Sequence, residues 1–354
     1  MTEIDETLEK TQDLSGRITL TKLKPILNGN YSSVYSGKLG DELVAVKVLK
    51  QINGAKTHTM ERKLRRERTT WARLQHPNVL PLYGFANDHE LFHPFGALIS
   101  PWRTKGCASE FLRDFGKEMR IDKRMEMWKG VVKGVAYLHS CQPVLVHGDL
   151  KTANILIDDH GNPQICDFGL ISIFLEEGNS GMTTTSPHTG TDRYLAYELL
   201  HDQETIVPTT ASDIFALGCI GLEFCFLQLP YAHRKHNCFG QIYTDIKAGK
   251  PPACRPNPHH HSDEIQIWDI LDECWRKAPQ DRPDAQSILA WMEDSLRFEW
   301  QITQDTTSLC SIKAFPEALP LKKSIDQRIP SSGDDANRIA TLVPNRVPKD
   351  PIFK

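Results

Sequence analysis

The chain lacks most of the features that mark the simpler protein classes. No stretch reaches the ~20 apolar residues that a membrane-spanning helix needs. The most apolar run, Ile214 to Leu229, contains Glu223 and follows Asp213, and reads as a helix buried in a large core. Positive charge is not in excess: 42 Lys+Arg stand against 45 Asp+Glu, a net of −3, so no polycationic surface for nucleic acid is expected. The nine cysteines form no CxxC pair and no regular spacing, which argues against a zinc module or a disulfide framework and for a reducing compartment. The first twenty residues are acidic and have neither the basic start nor the apolar centre of a secretory leader. A cytoplasmic protein with no membrane span is the expectation. No internal repeat at solenoid or propeller periods is visible.

What is present is ordinary for a globular chain of 354 residues: 40% hydrophobic and 25% charged, enough to bury a large core. Residues 1–16 read as an N-terminal extension and 17–299 as one folded domain. Residues 300–354 carry Pro316, Pro320, Pro330, Pro344, Pro348 and Pro351 among polar residues, the composition of a disordered tail. Within the domain, Ile18 to Leu27, Ser33 to Lys38 and Leu43 to Leu49 are short, β-branched or aromatic segments separated by turn residues, as in an antiparallel meander. Met60 to Leu74 is charged, with Leu64, Trp71 and Leu74 at helical spacing, and His76, Pro77 and Asn78 stop it. Beyond Phe111 the pattern is mainly helical: Met125, Trp128, Val131, Val132, Val135 and Leu138 make an apolar face, and Gly130 and Gly134 permit close packing. Strands first and helices later predict two lobes of an α+β protein.

Five features follow in one order: a glycine-containing turn between strands, Lys47 in VAVK, Glu67 on the charged helix, HGDLKTAN at 147–154, and DFG at 167–169. In this order they resemble the eukaryotic protein kinase family. SDIFALG at 212–218 and CWRKAPQDRP at 274–283 extend the likeness over nearly all of 17–299, and the latter is similar to the tyrosine-kinase-like serine/threonine kinases. Each residue taken singly has a plain explanation as a solvated strand lysine, a surface glutamate or a loop turn. The ordered set does not.

The resemblance implies a bilobal kinase fold: a small antiparallel-sheet lobe with one helix over about 17–101, and a larger helical lobe over about 102–299. It implies ATP and Mg²⁺ between the lobes and protein substrates phosphorylated on Ser or Thr, while the oligomeric state is left open. By position, Lys47 would reach the α/β phosphates and Glu67 would pair with it, with Glu61 as a rival. Asp149 would orient the substrate hydroxyl and Lys151 would stabilise the transferring phosphoryl group. Asn154 and Asp167 would hold the metal. Leu27, Val34 and Ala45 would roof the adenine with Leu156 below; Gly29 would approach the phosphates; Ser100, Pro101 and Trp102 would form the gatekeeper and hinge. His147, Phe168, Trp71 and Leu82 match the hydrophobic spine. Thr191 would bond to Asp149 and Lys151, Glu198 would pair with Arg282, and Asp213 would anchor the catalytic-loop backbone.

Three departures stand beside these matches. Of the three loop glycines only Gly29 remains, with Leu27 and Ser32 at the other positions, which limits close backbone approach to phosphates. Gly148 replaces the arginine that commonly receives an activation-loop phosphate, although Arg193 or Arg62, Arg65 and Arg66 could meet a phosphate on Ser180, Thr183, Thr184, Thr185, Ser186 or Thr189. Tyr197 replaces a proline. These departures motivate an alternative, a pseudokinase scaffold that binds without efficient catalysis. A dual-specificity or tyrosine kinase is disfavoured by Lys151 and Thr191. The loop histidines His259, His260 and His261 have no Cys or carboxylate arrangement beside them and read as polar loop rather than metal ligands.

Overall fold

The computed structural model describes residues 11–29, 32–51, 57–167, 191–200, 207–234, 240–256 and 262–293. All of them belong to one compact unit.

The chain begins with a mixed-length antiparallel sheet: β1 (Ile18–Leu20), β2 (Leu27–Asn28), β3 (Ser32–Leu39), β4 (Glu42–Leu49), β5 (Gly84–Ala86) and β6 (Ala97–Pro101). The order is β1-β3-β4-β6-β5, with β2 on the flank of β3. The single strand expected from Ile18 to Leu27 is split in two. Pro25 has no N–H to donate to a ladder, and the segment around it returns to pairing only when Ile26 donates to the Val34 carbonyl at 2.8 Å.

The two-residue period of β4 sorts its side chains. Val44, Val46 and Val48 point to one face and pack with Tyr35, Ile99, Phe92 and Leu14 in a small core. The opposite face carries Lys47, whose register partners are Val34 on β3 and Leu98 on β6. Helix α1 (Thr57–Ala72) shares the larger core with Leu49 and Leu98 of this sheet. It buries Leu64 and Trp71, and the indole N–H of Trp71 donates to the Leu80 carbonyl at 2.7 Å.

The second lobe contains α2 (Ala108–Phe115), α3 (Ile121–Ser140), the hairpin β7 (Ile155–Ile157) and β8 (Pro163–Ile165), α4 (Thr210–Phe226), α5 (Gln241–Lys247) and α6 (Ser262–Cys274). The apolar face read from the sequence is the buried face of α3: Trp128, Val131, Val132, Val135 and Leu138 are inaccessible, while Met125 lies at the margin. A Cβ on Gly134 would sit 2.7 Å from the Ile165 side chain and 2.8 Å from the Asn78 carbonyl, so close packing of α3 on β8 requires glycine there. Helix α4 is sheathed by protein from Ser212 to Cys225. A capping box between Thr209 and Ser212 starts it, and Leu227 in a left-handed conformation ends it. No helix among the described residues is long and apolar enough to cross a membrane.

Candidate active site

The sheet face that bears Lys47 opens the site. Residues directly opposite in an antiparallel ladder share a face, so Leu27, Val34 and Lys47 form one row across β2, β3 and β4. Ser36, Ala45 and Ser100 form the neighbouring row on the same face. Five of the residues expected from the sequence, Leu27, Val34, Ala45, Lys47 and Ser100, are thus brought to one surface by register alone. Leu27 is well exposed and Ser100 is buried. The Gly29 amide donates to the Ser32 carbonyl at 2.9 Å, and Lys50 Nζ donates to the Gly29 carbonyl at 2.6 Å. The amide of Trp102 donates to the Leu43 carbonyl at 3.2 Å. Pro101 has no N–H, so the first hinge amide that no described residue engages is that of Arg103, which the sequence reading did not single out.

From this face the Lys47 ammonium reaches Asp167 Oδ1 at 2.6 Å, across 120 positions of sequence. Asp167 adopts φ 63°, a left-handed conformation that a side-chain residue holds only at a cost of about 1 kcal/mol. Burial pushes its carboxyl up, but the charge and hydrogen bond of Lys47 outweigh burial and hold it below the usual carboxylate range. The side chain of Glu67, the expected partner of Lys47, lies outside the described residues, as do Phe168 and the side chain of Thr191. The rival Glu61 is exposed on the rim of a cavity lined by Leu64, Arg65, Arg68 and Phe95.

The loop 147–154 supplies the other groups. Lys151 Nζ donates to Asp149 Oδ2 at 2.7 Å, and Asn154 Nδ2 donates to the Asp149 carbonyl at 2.8 Å and to Asp149 Oδ2 at 3.0 Å. Asn154 thereby engages its amide nitrogen with Asp149, which leaves its amide oxygen as the acceptor of that side chain. The Cys166 amide donates to the Asn154 carbonyl at 3.0 Å, which sets Asp167 beside Asn154. His147 accepts from the Asp149 amide at Nδ1, so its Nε2 carries the proton donated to the Cys166 carbonyl at 3.0 Å. Leu156 sits in the hairpin under the cleft, bridged to Cys107.

Behind the loop, the buried Asp213 carboxylate accepts the amides of His147 at 2.8 Å and Gly148 at 2.9 Å, and His139 Nε2 lies 3.0 Å away. Gly148 has φ 78°, so the residue that replaces the family's arginine occupies a backbone conformation suited to glycine. Glu198 and Arg282 form the expected two-pronged pair at 2.7 and 2.8 Å, with the Arg282 side chain wholly inaccessible. One expectation needs correcting. Arg193 is not a waiting phosphate receptor, because its guanidinium donates to the carbonyls of Pro230, Tyr231 and Arg234 at 2.6, 2.9 and 2.6 Å. Ser180 to Thr189, the side chains of Arg62 and Arg66, and His259 to His261 lie outside the described residues.

The sequence reading missed a buried cluster of Thr152, Tyr194 and Glu223 beneath the loop. Its one legible signal was Glu223, a lone carboxylate within the most apolar run of the chain.

A sheet lobe with one helix, a helical lobe, and a junction that gathers a Lys–Asp pair beside an Asp–Lys–Asn loop define a two-lobed kinase fold. The chain belongs to the protein kinase domain family, whose model matches residues 20–292. Among curated relatives it is similar to the dual specificity protein kinase shkC of Dictyostelium discoideum, 27% identical over 266 residues that cover 75% of this chain and 49% of that protein. It is also similar to two proteins of Arabidopsis thaliana. One is the serine/threonine-protein kinase STY17, 24% identical over 278 residues, 77% of this chain and 44% of that protein. The other is the serine/threonine-protein kinase CTR1, 26% identical over 263 residues, 74% of this chain and 30% of that protein. The chain spans half or less of the length of these relatives.

Proposed function

We propose that this chain is a protein serine/threonine kinase that moves the γ-phosphoryl group of ATP to Ser or Thr hydroxyls of protein substrates. The observation that carries the reading is the continuous set of contacts Lys47–Asp167, Cys166–Asn154 and Asn154–Asp149–Lys151. It assembles two carboxylates, an amide oxygen and two ammonium groups at one end of an apolar sheet face.

In this reading Leu27, Val34 and Ala45 roof the adenine above Leu156, and Ser100, Trp102 and the free Arg103 amide line the hinge. Lys47, with Glu67, steadies the phosphates, and Gly29 keeps the turn above them open. Asp149 orients the substrate hydroxyl and takes up its proton, and Lys151 balances charge on the transferring group. Asp167 and Asn154 offer hard oxygen donors of the kind Mg²⁺ prefers, and two protein donors leave room for phosphate oxygens and water. Mg²⁺ held there would neutralise charge developing on the β and γ phosphates. We assign the kinase unit to 17–299, with 1–16 and 300–354 as flanking segments, and place the protein in the cytoplasm with no nucleic-acid partner.

Two observations favour particular alternatives. The turn that retains only Gly29 suits a scaffold with weak nucleotide use, and the Dictyostelium relative's name suits transfer to Tyr as well as Ser/Thr. Phosphorylation of generic protein substrates with ATP and Mg²⁺, read by phosphosite analysis, separates all three. Wild type is expected to form phosphoserine and phosphothreonine, and Lys47→Met and Asp149→Asn to lose at least about 10²-fold of that rate. Equal transfer by wild type and Asp149→Asn would leave the scaffold reading, and phosphotyrosine as a main product would widen the specificity.

A further inference from the structure

Below the catalytic loop, three oxygen-bearing side chains from three separate elements meet. Thr152 opens the turn Thr152–Asn154, Tyr194 ends the turn Thr191–Tyr194, and Glu223 lies near the end of α4. Thr152 and Glu223 are buried. The contacts form a closed triangle. Tyr194 donates its hydroxyl to Glu223 Oε1; Thr152 Oγ1 lies 3.1 Å from Glu223 Oε2, 3.1 Å from the Tyr194 hydroxyl and, more distantly, 3.3 Å from Glu223 Oε1.

Counting protons decides the state of this triangle. If Glu223 is ionised, two hydroxyl protons must serve the three shorter of these four contacts. Tyr194 and Thr152 both donate to the carboxylate, and the Thr152–Tyr194 contact is left as two oxygens with no proton between them. If Glu223 is protonated, each of the three shorter contacts has its own: Glu223 Oε2–H donates to Thr152, Thr152 donates to Tyr194, and Tyr194 donates to Glu223 Oε1. We propose that Glu223 is a positioning residue that keeps a proton to close this ring, tying the catalytic loop to the 191–200 segment and so steadying Asp149, Lys151 and Asn154. The inference deepens the kinase reading and, for its effect on turnover, rests on it.

The surroundings support a retained proton. Burial raises the Glu223 carboxyl to about 7, against the opposing pull of the Tyr194 and Thr152 hydroxyls and the Arg193 charge. The other ionisable groups around it leave this balance in place. The Arg193 guanidinium is already shared among three carbonyls, the Cys219 thiol one turn away and the Tyr194 phenol are pushed well up by burial, and on the loop beside Thr152 the Asp149 and Lys151 charges pair at 2.7 Å.

Glutamine reproduces the neutral acid permanently, since its oxygen accepts from Tyr194 and its nitrogen donates to Thr152. The test therefore compares the full-length wild type with Glu223→Gln and Thr152→Val between about pH 6 and pH 8. Difference infrared spectra, wild type minus Glu223→Gln, should contain a protonated carboxyl band at the acid end that fades with a midpoint near neutrality. Amide hydrogen exchange in 147–154 should speed several-fold on that same transition in wild type and stay slow in Glu223→Gln. The kcat/KM of wild type should fall with pH along an alkaline limb that Glu223→Gln lacks, with Thr152→Val reduced at every pH. Absence of the carboxyl band, or identical pH dependence of exchange in wild type and Glu223→Gln, overturns the proposal. Because the band and the exchange need no turnover, a chain that transfers no phosphate but meets both expectations overturns the kinase reading and upholds the proton ring.

Discussion

At the scale of single residues, backbone conformation explains substitutions that chemistry alone makes look like losses. An arginine at position 148 is expected from the family, yet the loop turns there with φ 78°, a conformation that penalises any Cβ by roughly 1–2 kcal/mol. Gly148 gives up a phosphate-receiving guanidinium and relaxes the turn that carries Asp149. Gly148→Ala is therefore expected to lower unfolding stability by about 1 kcal/mol in denaturant titrations, with the Asp149–Lys151 pair still in place. Asp167 makes the opposite trade. It keeps a side chain at φ 63°, and the contact that repays the strain is the Lys47 ammonium 2.6 Å away. Most of the candidate site residues could be named from sequence through the ordered motifs that resemble the protein kinase family. Trp102 shows the limit of that reading, because its amide donates to Leu43 in a way that spacing cannot reveal.

At the scale of elements, the catalytic loop takes its shape from helix α4 rather than from itself. Asp213, buried at the start of α4, holds the amides of His147 and Gly148, and Glu223, near its end, holds Thr152. A rigid helix with a carboxyl group at each end spans the loop. Asp213→Ala would strand two buried amides without acceptors, each costing about 1–3 kcal/mol. The expected result is a lower melting temperature and a loss of kcat larger than any change in KM, measured on the same preparation. The Glu198–Arg282 pair joins the 191–200 segment to the chain after α6. Since Arg282 is wholly inaccessible, Glu198→Gln would leave a buried guanidinium short of its counter-charge, and a destabilisation of about 3 kcal/mol is expected by calorimetry or denaturant unfolding. The bounds of the elements were less legible than their existence. The helix read from Met60 begins at Thr57, and the strand read from Ile18 to Leu27 is two strands, because chain ends and a single proline respond to neighbours that lie elsewhere in the fold.

At the scale of the whole molecule, carboxyl groups of opposite character set the dependence of stability on pH. Asp167 is depressed by Lys47, and Asp245 is depressed well below the usual range by hydrogen bonds from Arg234, Lys250 and His233, against burial. A depressed carboxylate adds stability that is present above its unfolded value, near 4, and is lost as the pH falls. Glu223 has the reverse sign. Raised to about 7, it keeps a proton that the unfolded chain releases, so its contribution declines as pH climbs from the ordinary carboxylate range to about 7 and is level beyond. Urea unfolding across pH should therefore give a dome, falling steeply in acid and gently toward neutrality, with only the gentle slope removed in Glu223→Gln.

The amino-acid order by itself determined the class of fold, the two-lobed sequence of strands then helices, and the identity of the charged groups, because periodicity and spacing act over short stretches of chain. Tertiary structure alone decided which donors each group meets: Lys47 finds Asp167 across 120 positions and Thr152 finds Glu223 across 71. Such pairings, and the protons they hold, depend on distances of about 3 Å between chemical groups, which no local pattern specifies and only the packed core can set.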